Sequence, residues 1–353
     1  MTPDRRAVLA GLAALPLATA ARADAPTQGR LVEHPAMASA HVQPRDVTVW
    51  LPPGYDASDA SYPVLYMHDG QNLFDASRAP YGAEWGVDEH IARLAATGQI
   101  RTPIVVGIGN TPLRLREYIP ANLIAALPDD MRADVQAIYG GEPLSEGYLR
   151  FLVEALKPFI DRTYRTRPGR DDTVIMGSSM GGLISMYALM KHPEVFGAAG
   201  CVSTHWPIRI EQLTDPAALA AWRDRLTEAW TGVVRADLPP PCEHRLYFDR
   251  GDESLDAFYA EFQSRIDATI RAAGWSPGRF RSLVFPGAGE EAGGQAHGGT
   301  RQTGGSRKVR GASRRWFQLA SLCSAPGKTS ERKRSGPQPA ARTVASMRLW
   351  NSA

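Results

Sequence analysis

The sequence predicts an α/β protein with a mostly parallel, twisted sheet and helices on both faces. Short apolar runs that stop at polar or glycine residues alternate with amphipathic stretches of helical length. The segment "TVIMGSSMGGLISMYALMKH" also runs from an apolar strand through a glycine-rich turn straight into a helix. Such alternation favours parallel pairing, because a strand returning to the same end of the sheet needs a crossover long enough to hold a helix.

The elements follow in order. "DVTVWLPPGY" reads as a strand with alternating faces, stopped by Pro52, Pro53 and Gly54. "YPVLYMHDG" is apolar almost throughout, as expected of a buried parallel strand that delivers a loop at its carboxyl end. "VDEHIARLAATGQ" has helical spacing and ends near Gly98, and "PIVVGIGN" is another buried strand. In "YLRFLVEALKPFIDRTYR", Leu149, Leu152, Leu156, Phe159 and Ile160 share one helical face, and the chain leads on into strand "TVIMG". Helix "LISMYALMKH" follows, with Pro193 at its end. "FGAAGCVST", "HRLYFDRGD" and "FRSLVFPG" complete the strands, and helix "DAFYAEFQSRIDATIRAAG" precedes the last of them. Residues 207–240, with "AALAAWRDRLTEAW", read as a helical insertion over the sheet edge.

Both ends differ from this main domain, which spans 26–288. Residues 1–25 place Arg5 and Arg6 before an apolar run of about 15 residues bounded by Arg22 and Asp24, followed by small-x-small sites. That is the layout of a secretory signal of twin-arginine type, and it falls short of the roughly 20 residues a membrane span needs. It predicts cleavage after Ala23 or Ala25, a periplasmic or secreted protein, and no stable membrane insertion. The three cysteines, Cys201, Cys242 and Cys323, are odd in number and widely spaced. They predict neither a disulfide framework nor a metal site.

The carboxyl end carries the basic character. Residues 289–353 hold 12 Lys+Arg against 3 Asp+Glu, a net +9, which leaves 28 against 34, or −6, for the rest of a chain whose total is +3. No aromatic residues interleave with these charges in a way that suggests a nucleic-acid partner. "AGEEAGGQAHGGTRQTGGSRKVRGASRR" has no apolar period and reads as a disordered tail.

The glycines at 177 and 181 centre the turn on Ser179 rather than Ser178. Strand, Gly-x-Ser-x-Gly and helix in that order form a nucleophile elbow, in which a sharp turn exposes the serine hydroxyl at the sheet edge. A serine hydroxyl needs a base and a group to orient that base. On such a scaffold the acid and then the histidine follow the serine along the chain. "LYFDRGDESLDAFY" supplies Asp249 inside the strand and Asp252, Glu253 and Asp256 beyond it. Asp256 is the preferred acid and Asp252 the second choice; the competing role for Asp256 is a helix N-terminal charge. Two backbone donors for an oxyanion are expected from Met180 and from the "DGQN" loop, at Gln71 or, next, Asn72. His68 and Asp69 in that loop, and His205 and Trp206 in "STHWP", are expected to line a substrate pocket.

With "VTVWLPPGY", "YPVLYMHDGQNLFD", "EWGVDEHIARL", "IVVGIGNTPLRLREYIP", "GSSMGGLISMYAL", "STHWP" and "YFDRGDESLDAFY" on the page, the chain resembles the putative-esterase branch of the α/β-hydrolases. This branch includes enterochelin-esterase-like, feruloyl-esterase-like and esterase D-like enzymes. The resemblance covers about residues 45–287. It implies an α/β-hydrolase fold, a serine triad with neither metal nor cofactor, a small-molecule ester substrate, and Ser179 and Asp256 as nucleophile and acid.

The family pattern then expects Pro-Gly-Ala-x-His and a closing helix. Here "FPGAG" is followed by Glu290, and the nearest histidine is His297, within a glycine-rich run. His297 is the remaining candidate base, since His205 precedes the acid along the chain. The abrupt change suits a reading frame altered near codon 289, with impaired catalysis and an exposed sheet edge as consequences. Three functional classes follow: a serine carboxylesterase, a non-catalytic ligand-binding protein of the same fold, and an acyltransferase to a sugar or lipid alcohol.

Overall fold

A computed structural model describes residues 29–80, 82–209, 215–241, 243–288 and 322. The predicted signal at 1–25, Cys242, Cys323, His297 and, apart from Leu322, the tail at 289–353 lie outside them. Among the described residues, eight strands form one sheet in the order β1-β2-β4-β3-β5-β6-β7-β8. They are β1 (Arg30–Met37), β2 (Arg45–Leu51), β3 (Val64–His68), β4 (Ile104–Ile108), β5 (Thr173–Ser178), β6 (Ala198–Val202), β7 (Arg245–Arg250) and β8 (Phe280–Val284). β1 pairs antiparallel with β2, and β2 with β4; every other neighbour is parallel. All the parallel strands therefore end on the same side of the molecule.

Period-2 geometry divides the strand residues between two cores. Val64, Tyr66, Val106 and Ile175 pack on one face, and Leu65, Met67, Val105, Val174 and Met176 on the other. β2 departs from the expected alternation: six of its seven residues are buried, because both faces of an interior strand are covered. β1 was not anticipated. It carries Pro35, a register shift between His34 and Met37, and Ala36 at φ 49°, all compatible with an edge strand.

The helices are α1 (Val87–Ala96), α2 (Arg114–Tyr118), α3 (Ala121–Ala126), α4 (Asp129–Tyr139), α5 (Ser145–Arg150), α6 (Lys157–Thr163), α7 (Met180–Lys191), α8 (Pro216–Asp237) and α9 (Ser254–Ala272). The predicted helix after Tyr148 spans α5, a π-helical turn at Phe151–Leu156 and α6. The wide turn lies just before Pro158, whose missing N–H removes one α-helical bond. α8 packs on α9 and α3, and ties to α4 through the Arg225–Asp130 pair. α1 covers the second core with Val87, Ile91 and Leu94, and Leu322 is buried in the same cluster. Among the described residues no helix is long and apolar enough to cross a membrane.

A buried ion pair ties β2 to α2. The Arg45 and Glu117 side chains are 0% and 1% exposed and 2.6 Å apart. The Arg45 guanidinium also lies over the Tyr148 and Phe151 rings, and the Thr111 hydroxyl donates to Glu117. Arg45→Met is expected to lower unfolding free energy by about 3–5 kcal/mol in a denaturant titration, because it strands the Glu117 carboxylate. Adding Glu117→Leu should recover much of that loss. A single variant as stable as wild type would show that the pair contributes nothing.

Candidate active site

β5 ends at Ser178, and α7 begins at Met180, so Ser179 alone makes the turn. Its φ and ψ are 59° and −120°, a conformation costly for a residue with a Cβ. The geometry is held on both sides: the Ser179 amide donates to the Val202 carbonyl at 2.9 Å, and its carbonyl accepts from Gly182 and from His205. Glycine at 177 lets strand and helix approach, since a Cβ there would stand 2.9 Å from the Gly181 backbone. α7 is buried from Met180 to Met190, which fixes the serine rigidly at the carboxyl edge of the sheet. Met180, as the first residue of the helix, has an amide with no intrahelical acceptor.

The "DGQN" loop folds as a single 3-10 turn, Gly70–Asn72, next to that helix start. Asp69 introduces it in the left-handed region at φ 57°. Gly70 is pressed onto β4, where a Cβ would meet the Gly107 carbonyl carbon at 2.5 Å. The Asp69 carboxylate accepts from Asn110 Nδ2 at 2.6 Å and from Arg114 Nε and Nη2 at 2.7 Å each. Burial by itself would raise the Asp69 pKa, but Arg114 and Asn110 more than offset this and hold it below the usual carboxylate value. The Gln71 side chain accepts from the Asn110 amide at 3.3 Å. A polar cleft of about 160 Å³, lined in part by Thr48, Gln71 and Asn110, opens beside the turn.

Asp256 stands in the first turn of α9 and is fully buried. Its Oδ2 accepts from the Gly251 amide at 2.7 Å and from the Ser203 hydroxyl at 3.1 Å. Ser203 follows Val202, the residue that takes the Ser179 amide, so the end of β6 joins the neighbourhoods of Ser179 and Asp256. Asp249 is also buried, but inside β7, where its Oδ2 accepts from the Tyr247 hydroxyl at 2.7 Å. Asp252 lies in the exposed loop and accepts from the Gly287 amide.

Of the four expected pocket residues, two are fully closed off and two keep some exposure. His68 and Trp206 are 0% exposed and offer no surface to a ligand. His68 is sealed against Tyr118 and Tyr148, with Nδ1 and the Tyr148 hydroxyl 2.7 Å apart. Trp206 packs on Trp230 and Phe248 and donates to Gln263. The Asp69 carboxylate is engaged by Arg114 and Asn110. His205 is partly open, with Nδ1 2.9 Å from the Tyr259 hydroxyl. Burial, then the charge of Arg114, lowers its pKa to about 4, so the imidazole is neutral at ordinary pH. Each of the other described histidines has its own partner: His34 with Tyr164, His41 with Glu154, His90 with the Gly86 carbonyl, His192 with Glu194 and His244 with the Pro193 carbonyl. Sequence reasoning missed Ser203, Asn110, Arg114 and Tyr139, whose hydroxyl donates to the Ile208 carbonyl at 3.1 Å and meets Met180 Sδ at 3.7 Å.

The turn is also held from behind by the start of α1 and the residues leading into it. The Trp85 amide donates to the Asn72 carbonyl at 2.8 Å, and Val87 to Leu73 at 3.1 Å. Next to them Asp88 is buried, and burial, a hydrogen bond with Glu89 and the charges of Glu89 and Glu84 raise its pKa from 3.8 to about 7. In the unfolded chain Asp88 ionises near 3.8, so folding takes up a proton between that pH and about 7. Stability should therefore decline as pH rises through this window, from this group, and then level off. Asp88→Asn should flatten that part of a stability–pH profile; an unchanged slope would contradict the assignment.

A family model described as "Putative esterase" matches residues 39–257, well over half of the chain. The chain belongs to this family. Among the relatives of this esterase-family chain is YbbA of Bacillus subtilis (strain 168), itself uncharacterised, 31% identical over 182 residues that make up 51% of this chain and 62% of YbbA. The ferri-bacillibactin esterase BesA of the same organism is 30% identical over 155 residues, 42% of this chain and 50% of BesA. The chain thus spans about half to three-fifths of the length of these curated relatives. An IroE-like serine hydrolase from Shewanella oneidensis superposes with a TM-score of 0.52 at 20% identity, covering 82% of this chain and 80% of that one. At such identity the likeness is one of fold, and the fold is that of the α/β-hydrolases.

Proposed function

We propose that this chain is built as a serine carboxylesterase that works through an acyl-enzyme. The observation that carries the reading is the backbone of Ser179, held at φ 59° between a parallel strand and a buried helix. A strain of that kind survives where surrounding contacts over-determine it, and here it lifts a hydroxyl above the sheet edge beside a helix N-terminus. In the proposed reaction Ser179 Oγ attacks an ester carbonyl and its proton passes to a histidine. The amides of Met180 and Gln71 hold the oxyanion, and the alcohol leaves with that proton. Water then adds to the acyl-enzyme, and the acid departs as Ser179 regains its proton. Asp256 orients the histidine.

Among the described residues the base is the missing part. The family position after Pro286-Gly287-Ala288 is Glu290, and His297 lies in the undescribed tail. Activity is accordingly proposed to be impaired in this chain. The same observation favours a second reading, a protein that keeps the fold and binds a ligand without turning it over. BesA is named for a ferri-bacillibactin substrate; for this chain the ester is proposed only as a small-molecule carboxylic ester. The sequence of residues 1–25 supports export, so the proposed place of action is the periplasm or the medium.

A fluorophosphonate separates the two readings. Ser179 Oγ would form a bond to phosphorus, fluoride would leave, and the hydroxyl proton would pass to solvent. Intact-mass analysis should show one adduct, mapped to Ser179. A chain that remains unmodified at high probe concentration, both as it stands and with Glu290→His, is the binding protein of the second reading.

A further inference from the structure

We propose that Arg114 is an electrostatic positioning residue of the oxyanion site, whose task is to neutralise the buried carboxylate of Asp69 beside the helix that would stabilise the developing negative charge. This rests on the reading of Ser179 as nucleophile. Asp69 Oδ2 lies 3.6 Å from where a Cβ on Gly181 would stand, next to Met180, the proposed donor. The side chain is 4% exposed, so water does little to screen it. An unneutralised carboxylate there would oppose any negative charge forming on a bound carbonyl oxygen. Arg114 meets it with two nitrogens at 2.7 Å each, the bidentate arrangement that holds an anion most firmly.

The surroundings fix Arg114 in that role. Its guanidinium lies 5.0 Å above the Tyr118 ring. Glu117, three residues on, is anchored by Arg45 and Thr111, so the one short helix carries both a buried structural pair and the neutralising cation. After burial, the charge of Arg114 also disfavours protonation of His205; at His68, where burial dominates, Arg114 acts against the larger opposing charge of Asp69. A carboxylate so close to the turn also has a use. Together with Asn110 it fastens the left-handed residue that starts the turn carrying Gln71. The pair thus supplies the geometric clamp without leaving its charge behind.

The test is the rate at which the fluorophosphonate labels Ser179 in the full chain, measured for wild type, Arg114→Gln, Arg114→Lys, Asp69→Asn and the Asp69→Asn/Arg114→Gln double variant. Arg114→Gln should slow labelling about 10- to 100-fold, as expected for a misplaced charge at an oxyanion site. Arg114→Lys should keep most of the rate. The double variant should return close to Asp69→Asn, because the charge that needed neutralising is gone. Labelling of Arg114→Gln should also rise as pH falls, when the stranded carboxylate takes up a proton, a trend that mere loosening of the fold would not produce. Equal rates in Arg114→Gln and wild type, or a double variant no faster than Arg114→Gln, overturn the proposal. Failure of both the wild-type chain and its Glu290→His variant to label refutes the reading of Ser179 instead, and with it this inference; if only the Glu290→His chain labels, the Arg114 series is measured in that background. Circular dichroism of each variant identifies any that fails to fold, and the Asp69→Asn pair of variants keeps the comparison within one folded background.

Discussion

Glu290→His is expected to raise turnover of an activated ester by about 100- to 10,000-fold over the wild-type chain, a partial recovery of the roughly 10,000-fold or greater loss that removing a triad member causes. The expectation comes from the chain that precedes the substitution. The Phe285 amide donates to the Arg250 carbonyl, and the Ala288 carbonyl accepts from the amides of Asp252 and Glu253 at 2.9 and 3.0 Å. A Cβ on Gly251 would stand 1.8 Å from that same carbonyl and 2.9 Å from Asp256 Oδ2. The backbone therefore leaves Ala288 beside the carboxylate, and two further residues extend it by at most about 7 Å. Position 290 itself lies outside the described residues. The measurement is kcat/KM with a p-nitrophenyl ester, with Ser179→Ala placed in the same background as a control. A folded Glu290→His chain no faster than wild type would mean that the acid is not where a base could use it.

Ser179→Ala should remove phosphonate labelling altogether and, in the Glu290→His background, cut turnover by about 1,000-fold or more. Ser179→Gly should do the same while raising stability by about 1 kcal/mol, because glycine adopts φ 59° without a Cβ penalty. The two variants separate chemistry from strain in one thermal-unfolding series. If glycine at 179 gave no gain over serine, the turn would carry no excess backbone energy. If alanine left labelling intact, Ser178 or another hydroxyl would be the nucleophile.

The legible parts of this molecule share a physical cause. β3, β4 and β5 are buried on both faces, so their sequences are unbroken apolar runs, and the glycines at 177 and 181 mark a turn that few other residues permit. β1 escaped notice because it is an edge strand, half exposed and interrupted by Pro35, and so shows no clear period. α2 and α3 are five and six residues long, too short for a helical period to emerge, and neither has a side-chain cap at its start. His68 and Trp206 were read as ligand-facing because polar and aromatic residues flank the site in sequence; the three-dimensional packing turns both inward. Arg114 and Asp69 are 45 residues apart, and Arg45 and Glu117 are 72 apart. No local pattern announces a pair at such separations.

The hydrogen bonds at Ala288 draw a boundary through the gene. The Gly251 amide and the Ser203 hydroxyl, which donate to Asp256, are encoded before codon 288, whereas the residue expected to use that carboxylate is encoded afterwards. The nucleophile and the acid thus lie on one side of codon 288 and the expected base on the other. A lesion just downstream of codon 288 would leave these two donors to Asp256 in the chain while removing the group meant to use it.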